Sequence, residues 1–264
     1  MAGAVTRSWG QLLHLLLPPA CVGCGGTLTP NEGRVCPRCR TRLTPPSHPR
    51  CPRCQAPRGT GIPADRPCPE CQDWPATLEA ARSAFLLSTP ADRFVYALKY
   101  GGWPEVAGFM ADRMLGLLTP EERRAPWVLV PVPTTPSRRR ARGYNQAELL
   151  ARELARRTGL PLERTLLRKE GGGTQVALHR QERRANVEGA FETVAGACER
   201  LGRRSVLLVD DVLTTGATGQ AAAHALATGA KAARVRLITF ARSLPQEVEV
   251  HPLTQWDGDG AGRR

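Results

Sequence analysis

The stretch V-L-L-V-D-D-V-L-T-T-G-A-T, from Val206 to Thr218, carries the strongest signal for the fold. Its apolar start predicts a buried strand over 205–209, and the alanine-rich segment that follows predicts a helix over 218–228. Between them, small side chains at 214–218 allow backbone N–H groups and hydroxyls to converge on one phosphate at the positive end of the helix dipole. The stretch therefore predicts a strand, a phosphate-binding loop and a helix, in that order.

Two adjacent acids, Asp210 and Asp211, directly follow the predicted strand. Two carboxylates beside a phosphate nest cannot both face phosphate oxygens without repulsion. We expect them instead to accept hydrogen bonds from ribose hydroxyls or to hold a hydrated cation. A phosphorylated ribose satisfies both the loop and the acids.

Strands and helices alternate on both sides of this stretch. Residues 127–133 predict a buried strand that ends in a proline turn, 145–158 predict a helix, and 234–240 predict a further strand. Strands separated by helices are typical of an α/β fold with a doubly wound parallel sheet. Ligands of such sheets bind beyond the carboxyl ends of the strands, which places the expected site in the loop after Val209.

The amino-terminal part of the chain is rich in cysteine and follows a different pattern. Eight cysteines form four C-x-x-C pairs: Cys21 and Cys24, Cys36 and Cys39, Cys51 and Cys54, Cys68 and Cys71. Two such pairs complete a tetrahedral four-sulfur zinc site, so the spacing predicts a double zinc ribbon with two structural Zn²⁺ ions and no zinc catalysis. Sequential pairing is the simplest connectivity, and an interleaved pairing has the same spacing.

Two other uses of these cysteines have less support. Disulfides need an oxidising compartment, whereas the chain has no clear export signal and no apolar run of the roughly 18 residues that a spanning helix needs. Iron–sulfur sites usually have other cysteine spacings. We therefore expect a cytoplasmic chain with reduced, metal-binding thiols.

The composition suggests four regions and a preference for phosphate. We expect a double zinc ribbon over 12–75, a helical linker or hood over 76–125, the main domain over 126–242 and a tail over 243–264. The chain has 264 residues, with 37 Lys and Arg against 24 Asp and Glu, which gives a net charge of +13. Arginine forks bind phosphate, so the partner is expected to be a nucleic acid or a polyphosphorylated small molecule; the alternative is a solvated surface.

Helical spacing of apolar residues marks the stretch 76–118, and Gly101 and Gly102 are expected to divide it into two helices. It contains four aromatic residues, Phe94, Tyr96, Tyr100 and Trp103. They could form a platform on which nucleic-acid bases stack, but aromatic residues at helical spacing are more typical of a core. The core is therefore the expected position of all four.

The motif from Val206 to Thr218 resembles the phosphoribosyl pyrophosphate (PRPP) motif of type I phosphoribosyltransferases. The resemblance implies that Asp210 and Asp211 engage the ribose hydroxyls, and that Mg²⁺ accompanies PRPP. It implies that pyrophosphate lies against the loop at Thr134, and that Arg183 and Arg184 lie on a mobile loop that stabilises departing pyrophosphate. Two alternatives stay open for these arginines, a DNA-binding strip and a solvated charged surface. The acids and these two arginines would then be the catalytic residues. The 5′-phosphate would be bound by Thr214, Thr215, Gly216, Ala217 and Thr218.

Two further segments, V-P-V-P-T-T-P-S-R-R-R-A-R-G-Y-N-Q (130–146) and T-Q-V-A-L-H-R-Q-E-R-R-A-N-V-E-G-A-F (174–191), resemble the ComF competence family. With the cysteine pairs, the resemblance covers about 12–242. It implies a cytosolic protein of natural transformation that binds PRPP, handles incoming single-stranded DNA and works with competence-machinery proteins.

Three functions are compatible with these features. The favoured one is a ComF-like competence protein that binds PRPP and single-stranded DNA, because it accounts for the zinc ribbons, the charge and the PRPP loop together. The first alternative is an active phosphoribosyltransferase that transfers the ribose phosphate to a nitrogen acceptor and releases pyrophosphate. The second is a structural adaptor with a relict ligand loop.

Overall fold

A four-stranded parallel sheet forms the centre of the protein. The structure, a computed structural model, describes residues 19–29, 32–63, 66–124, 127–164, 167–169 and 190–244. The strands are β1 (Ala80–Leu86), β2 (Trp127–Pro131), β3 (Leu167–Lys169), β4 (Phe191–Thr193), β5 (Ser205–Leu213) and β6 (Val235–Arg242). The order in the sheet is β1-β6-β5-β2, and β3 and β4 form a separate antiparallel pair.

Helices cover both faces of this sheet. Within the described residues the helices are α1 (Pro37–Thr41), α2 (Ala91–Lys99), α3 (Val106–Met114), α4 (Pro120–Arg124), α5 (Pro136–Arg142), α6 (Gln146–Thr158), α7 (Ala197–Leu201) and α8 (Ala217–Gly229), with a 3-10 turn at Leu115–Leu117. Helices α2, α3 and α6 pack on one face and α8 on the other. The predicted α/β class with a parallel sheet is confirmed. All four strand carboxyl ends lie at one edge of the sheet, which is where ligands of such folds bind.

Successive residues of β5 point into two hydrophobic clusters, because side chains alternate between the two faces of a strand. Val206 and Leu208 join a cluster that includes α8 and the second half of the cysteine-rich segment. Leu207 and Val209 join the other cluster, with α2, α3, α6 and the first half of that segment. The two halves of the cysteine-rich segment therefore pack with opposite faces of one sheet and share its core.

Several predicted element ends shift by a few residues. Strand β5 continues to Leu213 because it keeps its register with β6, where Asp210 lies opposite Thr239. The two acids thus lie inside the strand and not after it. Helix α6 begins at Gln146, and the side chain of Asn145 caps it by accepting a hydrogen bond from the backbone N–H of Ala147 at 3.2 Å.

One element was predicted wrongly. The helical interpretation of 76–118 fails at Ala80–Leu86, which is the edge strand β1 and pairs in parallel with β6. Its buried positions, Ala81 and Ser83, are small and give little hydrophobic periodicity, and alanine favours helices when considered alone. The two predicted helices follow as α2 and α3, with the glycine pair at 101 and 102 between them.

A buried ion cluster lies near the amino ends of the strands, at the edge opposite the expected ligand site. The Glu122 side chain is fully buried and pairs with the guanidinium groups of Arg82 and Arg236. Burial acts to raise the pKa of Glu122, but the backbone N–H of Thr119 and the two arginines hold that pKa below its usual value. Part of the positive charge of the chain, that of Arg82 and Arg236, is thus used in ion pairs within the folded structure.

Replacing Glu122 with glutamine is expected to lower the free energy of unfolding by about 3–5 kcal/mol, because buried guanidinium charge loses its partner. Denaturant unfolding of the purified protein measures the difference. The matched control is Glu121→Gln on the same helix, whose half-exposed carboxylate pairs with Arg234 and Arg236. That exposed pair is expected to contribute about 1 kcal/mol or less. Equal losses in the two variants would contradict a structural role for the buried cluster.

Candidate functional site

The cysteines form two groups of four, each suited to one zinc ion. The groups are Cys21, Cys24, Cys36 and Cys39, and Cys51, Cys54, Cys68 and Cys71, with all four sulfur atoms of a group within 4.8 Å of one another. The pairing is therefore sequential and not interleaved. Four sulfurs at about 2.3 Å from a tetrahedral zinc lie roughly 3.8 Å apart. Distances of 3.6 Å for Cys51–Cys71 and 3.8 Å for Cys54–Cys68 fit that geometry.

The thiols of the second group strongly affect one another. Burial, together with the neighbouring charges of Cys51 and Cys68, raises the pKa of the Cys54 thiol to about 12. A bound Zn²⁺ ion supplies the positive charge that keeps such thiols deprotonated. Four sulfur ligands close the coordination shell and leave no open position for a substrate, so the zinc is structural.

The end of β5 brings Asp210 and Asp211 to the carboxyl edge of the sheet. The Asp211 side chain is buried, and one of its carboxylate oxygens lies 3.1 Å from Nζ of Lys99, the last residue of α2. A carboxylate oxygen of Asp210 accepts a hydrogen bond from the backbone N–H of Asp211 at 2.9 Å. No sequence motif marks Lys99, whose only signal is that it is a rare lysine at the end of a helical pattern.

The loop at 214–218 turns from β5 into α8 as the sequence predicts. Gly216 has a φ of 81°, a left-handed conformation that glycine adopts at little cost, and it precedes the first residue of the helix. The first-turn N–H groups of an α-helix have no partner within the helix and carry its positive dipole end. The backbone of this loop can therefore bind an anion beside the two acids.

The loop after β2 lies next to this one, since β2 and β5 are neighbours in the sheet. Thr134 lies in it half-buried, and Thr135 caps α5 by accepting a hydrogen bond from the backbone N–H of Arg138. The Asn145 amide donates to the carbonyl oxygen of Val132 at 3.0 Å and so fixes the start of the loop. Thr134 thus lies at the same sheet edge as the acids.

Two predicted site residues, Arg183 and Arg184, lie outside the described residues. The remaining predicted site residues are Thr134, Asp210, Asp211 and the five residues 214–218. They all lie on two adjacent strands and the loops that follow those strands. The structure therefore brings together the parts predicted for ribose, 5′-phosphate and pyrophosphate at one edge.

Three exposed aromatic residues lie beside this edge. Phe94 is buried as expected, but the expectation of a core position is wrong for Tyr96, Tyr100 and Trp103, which are 62%, 64% and 37% exposed. Helix α2 turns Phe94 and Leu98 towards the core, so that Tyr96 and Tyr100 project from the other side. Hydrophobic spacing alone did not reveal which aromatic residues lie on the buried stripe.

Arginine side chains stack on these rings. The Arg142 guanidinium lies 4.9 Å from the ring centroid of Tyr100, and the Arg34 guanidinium lies 4.6 Å from that of Trp103. The Tyr96 and Tyr100 centroids are 5.3 Å apart. We call these five residues the aromatic–arginine surface. It offers flat π faces and positive charge, which is the combination that binds unpaired bases and their phosphates.

Within the residues that the structure describes, no helix is both long enough and apolar enough to cross a membrane.

Known proteins resemble both the cysteine-rich part and most of the chain. A family model for the double zinc ribbon domain matches residues 12–72. Competence protein ComFC of Bacillus subtilis is 28% identical over 88% of this chain and 89% of its own length. DNA utilization protein YhgH of Salmonella typhi is 30% identical over 60% of this chain and 71% of its own length.

Competence protein F of Haemophilus influenzae has a higher identity over a shorter region. It is 41% identical over 96 residues, which make up 36% of this chain and 42% of the Haemophilus protein. The chain thus spans less than half the length of that relative, whereas the other two alignments cover more than two thirds of theirs.

Proposed function

The chain belongs to the ComF family, and from that premise we propose that it supports natural transformation by binding PRPP and handling incoming single-stranded DNA. The names of its relatives, competence protein and DNA utilization protein, support a role of this kind. The observation that carries the proposal is the carboxyl edge of the sheet, where two acids and a phosphate loop meet beside an exposed aromatic–arginine surface.

PRPP binding is supported by the order of groups along β5 and α8. The 5′-phosphate would be held by the backbone and hydroxyls at 214–218, and the ribose hydroxyls by the carboxylates of Asp210 and Asp211. The Asp211 carboxylate lies 3.1 Å from the ammonium group of Lys99, so it is held in a position where it accepts hydrogen bonds. A Mg²⁺ ion that arrives with PRPP would find the oxygen ligands it prefers in these acids.

Handling of single-stranded DNA is supported by the aromatic–arginine surface and by the charge near it. Bases stack on exposed rings without regard to sequence, while arginines follow the phosphate backbone. Arg138 and Arg140 are exposed on α5, which starts at the pyrophosphate side of the PRPP site. Tyr96 on α2 and Tyr100, which caps the carboxyl end of α2, flank Lys99, so the proposed DNA surface and the proposed ribose site meet at the end of one helix.

Replacing Tyr100 with alanine is expected to weaken binding of a fluorescent single-stranded oligonucleotide roughly 5- to 150-fold, because one stacked base loses its platform. Tyr100→Phe keeps the ring and serves as the matched control, with an affinity close to that of the wild type. Fluorescence anisotropy at fixed salt measures both. Wild-type affinity in the alanine variant would mean that DNA does not bind at this surface.

Salt dependence gives a second test of the DNA proposal. A site that neutralises about four phosphates of a single strand is expected to lose roughly 50-fold in affinity between about 50 and 200 mM salt. An affinity that does not change over this range would contradict the proposal.

The alternative function, transfer of the ribose phosphate to a nitrogen acceptor, starts from the same bound PRPP. The complete pair of acids and the intact loop favour it as far as the binding step. The two functions differ in one measurable outcome, which is whether pyrophosphate is released in the presence of an acceptor.

A further inference from the structure

The ring of Trp74 packs directly on the phosphate loop. Trp74 is buried and comes three residues after Cys71, the last cysteine of the second zinc group. A Cβ atom placed on Gly216 would lie 2.4 Å from Cζ2 of Trp74 and 2.8 Å from its Cε2. The indole therefore fills the space that a side chain at 216 would need, and the glycine turn fits against the ring.

The second zinc group fixes the position of this tryptophan. Arg53 lies between Cys51 and Cys54 in sequence, and its guanidinium donates hydrogen bonds to four carbonyl oxygens around the indole. The acceptors are the oxygens of Cys71 at 3.0 Å, Trp74 at 3.1 Å, Pro75 at 2.8 Å and Leu78 at 2.9 Å. Arg53 of the second zinc group thus holds the segment that follows Cys71, and Trp74 lies in that segment.

An unsatisfied donor lies at the same place. The indole Nε1 of Trp74 is buried and has no hydrogen-bond acceptor in the described part of the chain. This nitrogen is bonded to Cε2, one of the two ring atoms closest to the Gly216 turn. A buried donor without a partner carries an energetic cost, which is typical of a position completed by a ligand or a water molecule.

We infer that Trp74 is a positioning residue for PRPP, through which the second zinc site holds the Gly216 turn in the conformation that binds the 5′-phosphate. The inference rests on the proposed function, because it concerns the same loop. It gives the zinc ribbon a role beyond stability: the metal site and the ligand site form one packed unit, and a change in one alters the other.

The test measures PRPP affinity by titration calorimetry with Mg²⁺, together with zinc content, in wild type and in Trp74→Ala. The variant is expected to bind PRPP about tenfold more weakly or worse while it keeps two zinc ions per chain, since all eight cysteines remain. The matched control is Ile62→Ala, which removes an exposed apolar side chain of the same zinc ribbon, between Cys54 and Cys68, and is expected to leave PRPP affinity unchanged.

The outcomes separate this inference from the function on which it rests. If the wild type does not bind PRPP, the proposed function fails and this inference with it. If the wild type binds and Trp74→Ala binds equally well, only the inference is overturned. One combination of results supports it: Trp74→Ala binds PRPP more weakly and keeps its two zinc ions, while Ile62→Ala binds PRPP as the wild type does.

A double-mutant cycle keeps the inference testable if Trp74→Ala does not fold. Trp74→Phe keeps an aromatic ring but removes the benzo edge that meets Gly216. Gly216→Ala is expected to weaken PRPP binding in the wild-type background, through the clash at 2.4 Å and the positive φ. In the Trp74→Phe background the same substitution is expected to cost less, because the clash is relieved. If the losses of PRPP binding free energy in Trp74→Phe and Gly216→Ala simply add in the double variant, the inference is overturned.

Discussion

Replacing Cys54 with serine is expected to reduce the zinc content from two ions to one per chain and to lower the melting temperature by about 10–20 °C. Structural zinc contributes about 10–16 kcal/mol of apparent free energy in zinc-finger peptides, and the loss of one of four ligands forfeits several kcal/mol of it. For a protein of this size, 1 kcal/mol corresponds to about 2–4 °C. Metal analysis and thermal unfolding measure the two effects.

The effect is expected to reach the sheet because the second zinc ribbon is bonded to it. The carbonyl oxygen of Cys54 accepts a hydrogen bond from the fully buried Arg242 of β6. The backbone N–H of Ala81 in β1 donates to the carbonyl of Arg53 at 2.8 Å, and that of Ser83 donates to the Gln55 side chain at 3.0 Å. Unfolding of this ribbon would therefore leave buried polar groups of β1 and β6 unpaired.

The matched control for Cys54→Ser is Cys198→Ser. Cys198 is exposed and belongs to neither group of four, so its replacement should leave zinc content and melting temperature unchanged. Two zinc ions per chain and an unchanged melting temperature in Cys54→Ser would contradict the zinc assignment.

Replacing Asp211 with asparagine is expected to weaken PRPP binding roughly 10- to 150-fold, because a charged acceptor for the ribose hydroxyls is lost. The substitution is nearly isosteric, so the fold is expected to remain intact. It also leaves Lys99 without its carboxylate partner, which places an uncompensated positive charge beside the ribose. Calorimetric titration with PRPP and Mg²⁺ measures the affinity, and circular dichroism checks the fold.

Asp112→Asn is the matched control for this site. Asp112 is about half exposed on α3 and pairs with Arg157, outside the proposed PRPP site. PRPP affinity in that variant should equal that of the wild type. An affinity in Asp211→Asn equal to that of the wild type would mean that the ribose does not bind at this acid.

The parts of the fold that sequence could predict are those whose chemistry is local. Four C-x-x-C pairs specify zinc because two thiolates on one knuckle must share an ion, and the sequential grouping followed as the simplest path of the chain. The strand is continuously apolar over 206–209 because it is buried on both faces, and the small residues at 214–218 form the predicted turn into α8.

The features that sequence did not reveal depend on contacts between distant parts of the chain. Edge strand β1 has small buried residues and no strong period, so only its pairing with β6 identifies it. Lys99 and Asp211 are 112 positions apart and meet through the packing of α2 against the sheet. The contact of Trp74 with Gly216 likewise forms only when the second zinc ribbon packs on its face of the sheet.

The exposure of the aromatic residues illustrates the limit of periodicity. Phe94 and Tyr96 are two positions apart on one helix, and the first is buried while the second is mostly exposed. An apolar stripe fixes which side of a helix faces the core, but a tyrosine at the margin of the stripe is compatible with either a buried or an exposed position. The position of Tyr100 under Arg142 became visible only from the three-dimensional arrangement of α2 and α5.

The most direct test of PRPP binding follows the phosphorus NMR spectrum of PRPP and Mg²⁺ on addition of the purified wild-type protein. A second series adds nucleobases or ammonia, and release of pyrophosphate that depends on one acceptor would identify an active phosphoribosyltransferase and its substrate class. In the first series, binding at the acids and the phosphate loop predicts broadened PRPP signals. Signals that stay sharp and unshifted at equimolar protein would contradict the central claim.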